Sequence, residues 1–240
     1  MKKIIYVAIV LLAITSCKKK SEDVILPNPV AQLPKIKTYT IGGDNVTYTY
    51  DAQGRILTRV NTVSNWKYEY SYGTNVVTEN YYVGTTLSST YRYELQTDNG
   101  LVRRIFSSGD TYQTAYTYNA NNLVSEKVNS NTLNSNTTTE KFYYTGNLLD
   151  STIKTFSSNT DKYRTHYTYY TDKINTIGFK NMGYLFYAEE SDKPVKQVKY
   201  IFSPTNTQIS DYTYTYDAAG KIINRKINGG ANGNNDITYY

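Results

Sequence analysis

Few side chains in this chain combine the type and spacing that covalent chemistry needs. A nucleophilic triad requires a positioned base, and His166 is the single histidine. It alternates with Tyr167, so on a strand it points away from the tyrosine face, where solvent is its natural surrounding. No Gly-x-Ser-x-Gly elbow accompanies it, and no phosphate-binding glycine loop is present. Paired carboxylates could serve glycoside hydrolysis, and Glu189, Glu190 and Asp192 cluster. Adjacent glutamates on a strand face opposite ways, and in a loop they are solvated, so no catalytic role is assigned to them. Asp51 and Asp217 have no second acidic ligand nearby, which favours turn chemistry over calcium binding. One cysteine excludes a disulfide framework and a cysteine-based zinc site, and one histidine excludes a multi-histidine metal site. The expectation is a non-enzymatic protein with no metal and no cofactor.

Aromatic rings are the other chemistry on offer, because they can stack on sugar rings. Trp66 is the single tryptophan. The doublets Tyr81-Tyr82, Tyr143-Tyr144, Tyr169-Tyr170 and Tyr239-Tyr240 place one ring on each face of a strand. Trp66, Tyr82, Tyr143 and Tyr170 are the candidate aromatic binding residues. The alternative is that outward rings cover neighbouring strands through cross-strand pairs. Lys and Arg alternate with Asp and Glu instead of forming a dense stripe, so no nucleic acid partner is expected.

The elements that position these residues follow from composition and repetition. The chain has 240 residues and a net charge of +6, with 28 Tyr, 33 Thr and 24 Asn. Aromatic and β-branched residues fit strands, and Asn and Gly fit turns. From residue 35 onward the sequence repeats itself about every 24 residues. The clearest copies are Tyr48-Thr-Tyr50-Asp51-Ala-Gln-Gly54-Arg55-Ile56 and Tyr214-Thr-Tyr216-Asp217-Ala-Ala-Gly220-Lys221-Ile222. Weaker copies begin at Tyr68, Tyr91, Tyr116, Phe142 and Tyr167, and a degraded one is read at Tyr184-Leu-Phe186-Tyr187. Tyr-x-Tyr sets two rings on one face of a strand. Asp-x-x-Gly then predicts a type I turn, with Asp51 and Asp217 accepting local N–H bonds and Gly54 and Gly220 left-handed. Each unit is thus one hairpin. The whole is expected to be all-β, a long antiparallel meander of about 16–18 strands. The stretch from Asn175 to Pro194 breaks the rhythm. A decayed repeat is the favoured reading, and a cap or an interior segment is the alternative.

The Tyr-x-Tyr-Asp-x-x-Gly-Arg/Lys-Ile unit resembles the YD repeats of Rhs-type and teneurin-type proteins. More closely it resembles a family of Bacteroidota lipoproteins of unknown function. The likeness covers residues 35–240, with two good copies and the rest degenerate. It implies a curled β-hairpin array, described for the lipoprotein family as porin-like, and implies no activity. The repeats run to Tyr240, so no counterpart of the C-terminal toxin of Rhs proteins is expected.

Geometry limits how such a sheet closes. A round barrel of this many strands would be on the order of 30 Å across, too wide for tyrosines on opposite walls to meet. Buried rings are therefore expected to force a curled or flattened, barrel-like sheet with the Tyr-x-Tyr face inward. A transmembrane porin is the competing picture, but it needs a continuous apolar outer band. The outer face here carries Thr49, Glu69, Arg92 and Thr117.

The N-terminus reads as an address. Lys2 and Lys3 precede an apolar run from Ile4 to Ile14, too short for a permanent span. Ile14-Thr15-Ser16-Cys17 resembles a bacterial lipoprotein lipobox, which implies a signal peptide over 1–16 and a lipidated Cys17 that anchors the chain in a membrane. Residues 17–34 are charged and proline-punctuated, and are expected to be a flexible tether. The repeat domain is 35–240.

The resulting expectation is a lipid-anchored protein of the outer membrane, on its periplasmic or surface face, that binds a glycan or other extracellular polymer. A structural or protein-interaction lipoprotein is one alternative, and a shell enclosing a peptide is the other.

Overall fold

The computed structural model describes residues 33–41, 43–188, 191–229 and 233–240. The expected signal peptide, Cys17 and most of the tether lie outside the described residues, as do Glu189 and Glu190. Sixteen strands follow one another. The first eight are β1 (Ile36–Ile41), β2 (Asp44–Tyr50), β3 (Ile56–Asn61), β4 (Trp66–Gly73), β5 (Val76–Val83), β6 (Thr86–Leu95), β7 (Val102–Ser107) and β8 (Tyr112–Tyr118). The remainder are β9 (Val124–Asn131), β10 (Thr137–Thr145), β11 (Leu148–Phe156), β12 (Lys162–Tyr169), β13 (Val195–Ser203), β14 (Asn206–Tyr216), β15 (Ile222–Asn228) and β16 (Gly233–Tyr239). Each pairs antiparallel with its chain neighbours, and β1 pairs with β16, so the meander closes into a barrel with no free edge.

The repeat motif builds one end of this barrel. Asp51 accepts the amides of Gln53 and Arg55 at 3.0 and 2.8 Å, and Gly54 sits at φ +74°. Asp217 does the same for Ala219 and Lys221 at 2.9 and 2.8 Å, with Gly220 at φ +78°. In a weak copy Asn119 accepts from Asn121 and Leu123, and Asn122 takes the left-handed position at φ +59°. Asn can supply both the side-chain acceptor and the tolerance for positive φ, which is why the turn survives there. The register slips at or beside these turns, for example between Thr49 and Tyr50 and between Thr215 and Tyr216. Such bulges disrupt the ladder locally and leave backbone groups unpaired.

Tyrosine hydroxyls take up some of those groups. The phenols of Tyr50, Tyr72, Tyr144, Tyr169, Tyr214 and Tyr239 donate to the carbonyls of Ile36, Ile56, Val124, Leu149, Val195 and Ile222 at 2.6 to 2.9 Å. Tyr118 donates likewise to Val102. In each case the ring stands at or near the end of one strand and its acceptor at or beside the start of the strand before it. The same contact therefore recurs around the turn end of the barrel.

The stretch after β12 corrects the reading of a decayed repeat. Its described residues, 170–188 and 191–194, contain no strand, so Tyr184-Leu-Phe186-Tyr187 is not a repeat copy. The segment instead runs inside the barrel along the turn end. Thr176 Oγ1 accepts the amide of Ile222 at 2.9 Å. The carbonyls of Asn181, Gly183 and Phe186 accept the amides of Ile36, Ile56 and Val102 at 3.1, 3.0 and 2.8 Å. These four partners begin β15, β1, β3 and β7, so the segment follows half of the inner rim. It meets four amides that the bulges free from the ladder.

The same segment solves the burial problem that a wide lumen poses. Phe186 is 1% exposed and Tyr184 6%, and both rings pack among Tyr70, Tyr93 and Tyr187. The wall rings are covered by an internal segment and need not reach one another across the barrel.

Candidate functional site

The lumen is bounded by this segment on one side and by the wall of β8 to β14 on the other. A cavity of about 850 Å³ lies between them. That is the size of a pocket for a small-molecule ligand. Tyr116, Phe142, Tyr167, Tyr200 and Tyr214 supply rings from the wall, and Phe179, Tyr184 and Tyr187 supply them from the internal segment.

Charged residues reach the lumen through the bulges. At the start of β3, β9 and β15 one extra residue is inserted, so the residue three places after the first strand position turns inward. These residues are Arg59, Lys127 and Arg225, and Glu79 faces inward from β5. Arg59 stands between Tyr48 and Tyr68 in the ladder, and its guanidinium is 4.1 Å from the Tyr68 ring centroid. Arg225 stands between Tyr214 and Asn235, and donates to Asn235 Oδ1 from Nε and Nη2 at 3.3 and 3.1 Å. Lys127 stands between Tyr116 and Glu140. Glu79 lies beside the hydroxyls of Tyr70 and Tyr93, and is 8% exposed. Arg59 Nε is buried with no hydrogen-bond partner.

Burial dominates the electrostatics here. Desolvation, with Glu140 nearby, pushes the phenols of Tyr116 and Tyr167 up to about 12. Tyr70, Tyr93 and Tyr187 are driven further in the same direction, again first by burial. At neutral pH these phenols are hydrogen-bond donors and acceptors that carry no charge.

The outer wall has the opposite character. Thr49 and Thr58 join hydroxyls across β2 and β3 at 2.7 Å. Lys67 pairs with Glu69 at 2.6 Å, Arg103 with Glu94 at 3.3 Å and Lys141 with Glu126 at 3.9 Å. His166 lies on this face between Ser151 and Lys199, exposed, as its alternation with Tyr167 predicts. A lipid-facing band is apolar over about 25 Å, and a Lys or Arg at the midplane costs about 2–4 kcal/mol. Charges spread over β4, β6, β7, β9, β10, β12 and β13 suit water and oppose lipid.

The four aromatic candidates do not come together. Trp66 is on the lumen face, 5.5 Å edge-on to Tyr68 and capped by Arg59. Tyr82 is on the outer face beneath Lys67, whose ammonium is 4.8 Å from its ring. Tyr143 is on the outer face and 44% exposed. Tyr170 is half-buried, edge-on to Tyr214, with its hydroxyl on the Tyr212 carbonyl at 2.9 Å. Among the described residues no ring contact joins any two of the four. The rings and cations that do converge are the lumen residues. Arg59, Lys127 and Arg225 were hidden because strict alternation from Ile56, Val124 or Ile222 places them outside. Asp192 lies beside Lys193 at 4.0 Å, and its carbonyl holds the amide of Asn175 at 2.7 Å, which gives it a structural place in the segment.

The chain is similar in fold to two solved structures. One is a porin-like protein from Bacteroides vulgatus ATCC 8482, with a TM-score of 0.62 and 12% identity over 86% of this chain and 99% of that one. The other is a porin-like protein from Bacteroides uniformis ATCC 8492, with a TM-score of 0.58 and 11% identity over 85% of this chain and 95% of that one. At these identities the likeness is one of fold. No model of a known protein family matches the chain, and no curated protein matches it.

Proposed function

We propose that this protein is a non-enzymatic, water-facing β-barrel of the cell envelope, held to the outer membrane by a lipid on Cys17, with the lumen as its binding site. The observation that carries this reading is the inversion of polarity across the wall. Charges and threonines face outward, and tyrosines with a few cations and carboxylates face a cavity. A porin that spans lipid has the reverse arrangement. The lipobox-like Ile14-Thr15-Ser16-Cys17 supplies the anchor that such a wall cannot. The lumen replaces the outward aromatic platform as the place where a glycan or other polar ligand binds.

Thiol labelling on whole membranes tests this reading, because a lipidated Cys17 leaves the chain without a free thiol. The wild type is expected to stay unlabelled. His166→Cys is expected to react with a charged maleimide. Tyr200→Cys, in the lumen, is expected to react with a small maleimide and to be protected from a polymer-bearing one. A silent His166→Cys would place the wall in lipid, a labelled wild type would remove the anchor, and an unreactive Tyr200→Cys would close the lumen.

A protein-interaction role is the second reading. It is favoured by Val63, Val83, Leu87 and Leu133, which are 50–80% exposed on loops and strand ends at the end away from the internal segment. A photo-crosslinker at Leu133 that captures an envelope protein, where one at Thr49 does not, would support it. Equal capture at both positions would count against it.

A further inference from the structure

The lumen has an open mouth with a distinct chemistry. Gln208 and Tyr112 face inward by register, beside Tyr200 and Asn131, yet both are exposed, and Tyr112 is 59% exposed. The loop end of the barrel therefore admits water. Four rings gather at that end. Tyr163 lies between Phe156 and Phe202 at 5.0 and 5.4 Å, and Phe202 is stacked with Tyr200 at 6.3 Å and 9°. Phe202 is 37% exposed, and Lys154 Nζ sits 5.4 Å from the Phe156 ring. Tyr200 belongs both to this cluster and to the cavity lining, so mouth and cavity are continuous.

The cavity behind the mouth is biased towards anions. Among its described lining residues four cations (Arg59, Lys127, Lys193 and Arg225) face two carboxylates (Glu79 and Glu140), an excess of two positive charges. Both carboxylates have neighbours on the wall. Glu79 lies beside two tyrosine hydroxyls, and Glu140 stands between Lys127 and Lys154 in the ladder. Arg225, held through Asn235, and Lys193, 4.0 Å from Asp192 at the end of the internal segment, also line the cavity, with guanidinium and ammonium groups suited to a carboxylate. A wet aromatic mouth suits a ligand with apolar ring faces and polar edges. A cation pair behind it suits a ligand that also carries negative charge. A short chain of acidic sugar rings has all three features.

We infer that the lumen takes an acidic oligosaccharide, with sugar rings against Phe202, Tyr163 and Tyr200 at the mouth and a carboxylate directed to Arg225 and Lys193. The inference rests on the lumen's being the binding site, and names what occupies it. An acidic peptide shares the charge but lacks the flat ring faces that the mouth offers.

Calorimetric titration of the full-length lipidated protein in detergent tests it with three ligands: tri-galacturonate, its carboxyl-reduced neutral form, and tri-glutamate. Tri-galacturonate is expected to bind at least tenfold more tightly than either of the others. Arg225→Gln and Lys193→Gln are each expected to weaken it at least tenfold, while Lys199→Gln on the outer wall leaves it unchanged. Phe202→Ala is expected to weaken the charged and neutral trisaccharides by the same factor. Equal affinity for the neutral form would overturn the role of charge, and tighter tri-glutamate binding would overturn the sugar. Absence of binding by all three would overturn the ligand class while Tyr200→Cys labelling still decides whether the lumen is open. Loss of binding in Lys199→Gln alone would move the site to the outer wall and overturn both readings together.

Discussion

The backbone amide of Ile56 donates to the carbonyl of Gly183 at 3.0 Å, joining the first residue of β3 to the segment that runs inside the barrel. On the other side of the same residue, the Ile56 carbonyl accepts the Tyr72 hydroxyl at 2.7 Å. One residue, buried to 0% exposure, thus links the repeat turn, the next strand and the internal segment. The contact is possible because residue 183 has no side chain. A Cβ there would lie 2.7 Å from the Ile56 nitrogen and 2.7 Å from a Tyr50 ring carbon, at φ +78°.

Gly183→Ala is therefore expected to push the segment off the rim. Left-handed strain costs about 1–2 kcal/mol, and an unpaired buried amide costs a further ~1–3 kcal/mol. Gly146→Ala provides the comparison, since it carries the strain at φ +60° with nothing within 4 Å of the added carbon. Urea unfolding should show the larger loss at Gly183. Equal losses would mean that the segment is not held at this contact.

Removing one phenol from the turn-end contacts has a smaller expected effect. Tyr72→Phe leaves the Ile56 carbonyl without its donor in a buried site and should cost about 1 kcal/mol. Tyr143→Phe, on the exposed outer face, should be close to neutral. Thermal midpoints of the two variants against wild type give the comparison. A neutral Tyr72→Phe would show that water replaces the bond.

These contacts mark the limit of what the sequence discloses. Tyr-x-Tyr followed by Asp-x-x-Gly specifies a local hairpin, and the turns at Asp51 and Asp217 form as their residue types require. The acceptor of each phenol is set by a bulge and by strand register, which are long-range properties. The bulge also shifts the phase of Arg59, Lys127 and Arg225, so counting in twos misplaces the cations of the lumen. Tyr184-Leu-Phe186-Tyr187 mimics the ring spacing of a repeat. What distinguishes it is the stretch that follows, Ala188-Glu-Glu-Ser-Asp192, which has neither glycine nor asparagine to take the left-handed position of a turn. With no turn to start a return strand, the rings find burial inside the barrel.

Loss of the anchor should separate the barrel from the membrane. If Cys17 carries the lipid, Cys17→Ala should move the protein from the membrane pellet to the soluble fraction without changing its circular dichroism. The outer wall predicts this, because Lys67, Glu69, Arg92 and Lys199 put charge on the face that lipid would cover. Retention of Cys17→Ala in carbonate-washed membranes would show that the barrel itself holds the bilayer.

Alkaline pH should unfold the barrel through its phenols. Burial raises Tyr116, Tyr144, Tyr167 and Tyr239 to about 12, against an ordinary value of about 10. Between these values the unfolded chain has released protons that the folded chain still holds. It binds fewer protons than the native state, so stability falls as pH rises. The contribution is fully present below about pH 10 and is lost through the interval up to 12. The phenolate absorbance of these four buried rings should appear in one step, together with the loss of circular dichroism. A smooth titration of nearly all phenols near pH 10, with the sheet preserved, would mean that the lumen rings are open to water and that the internal segment does not shield them.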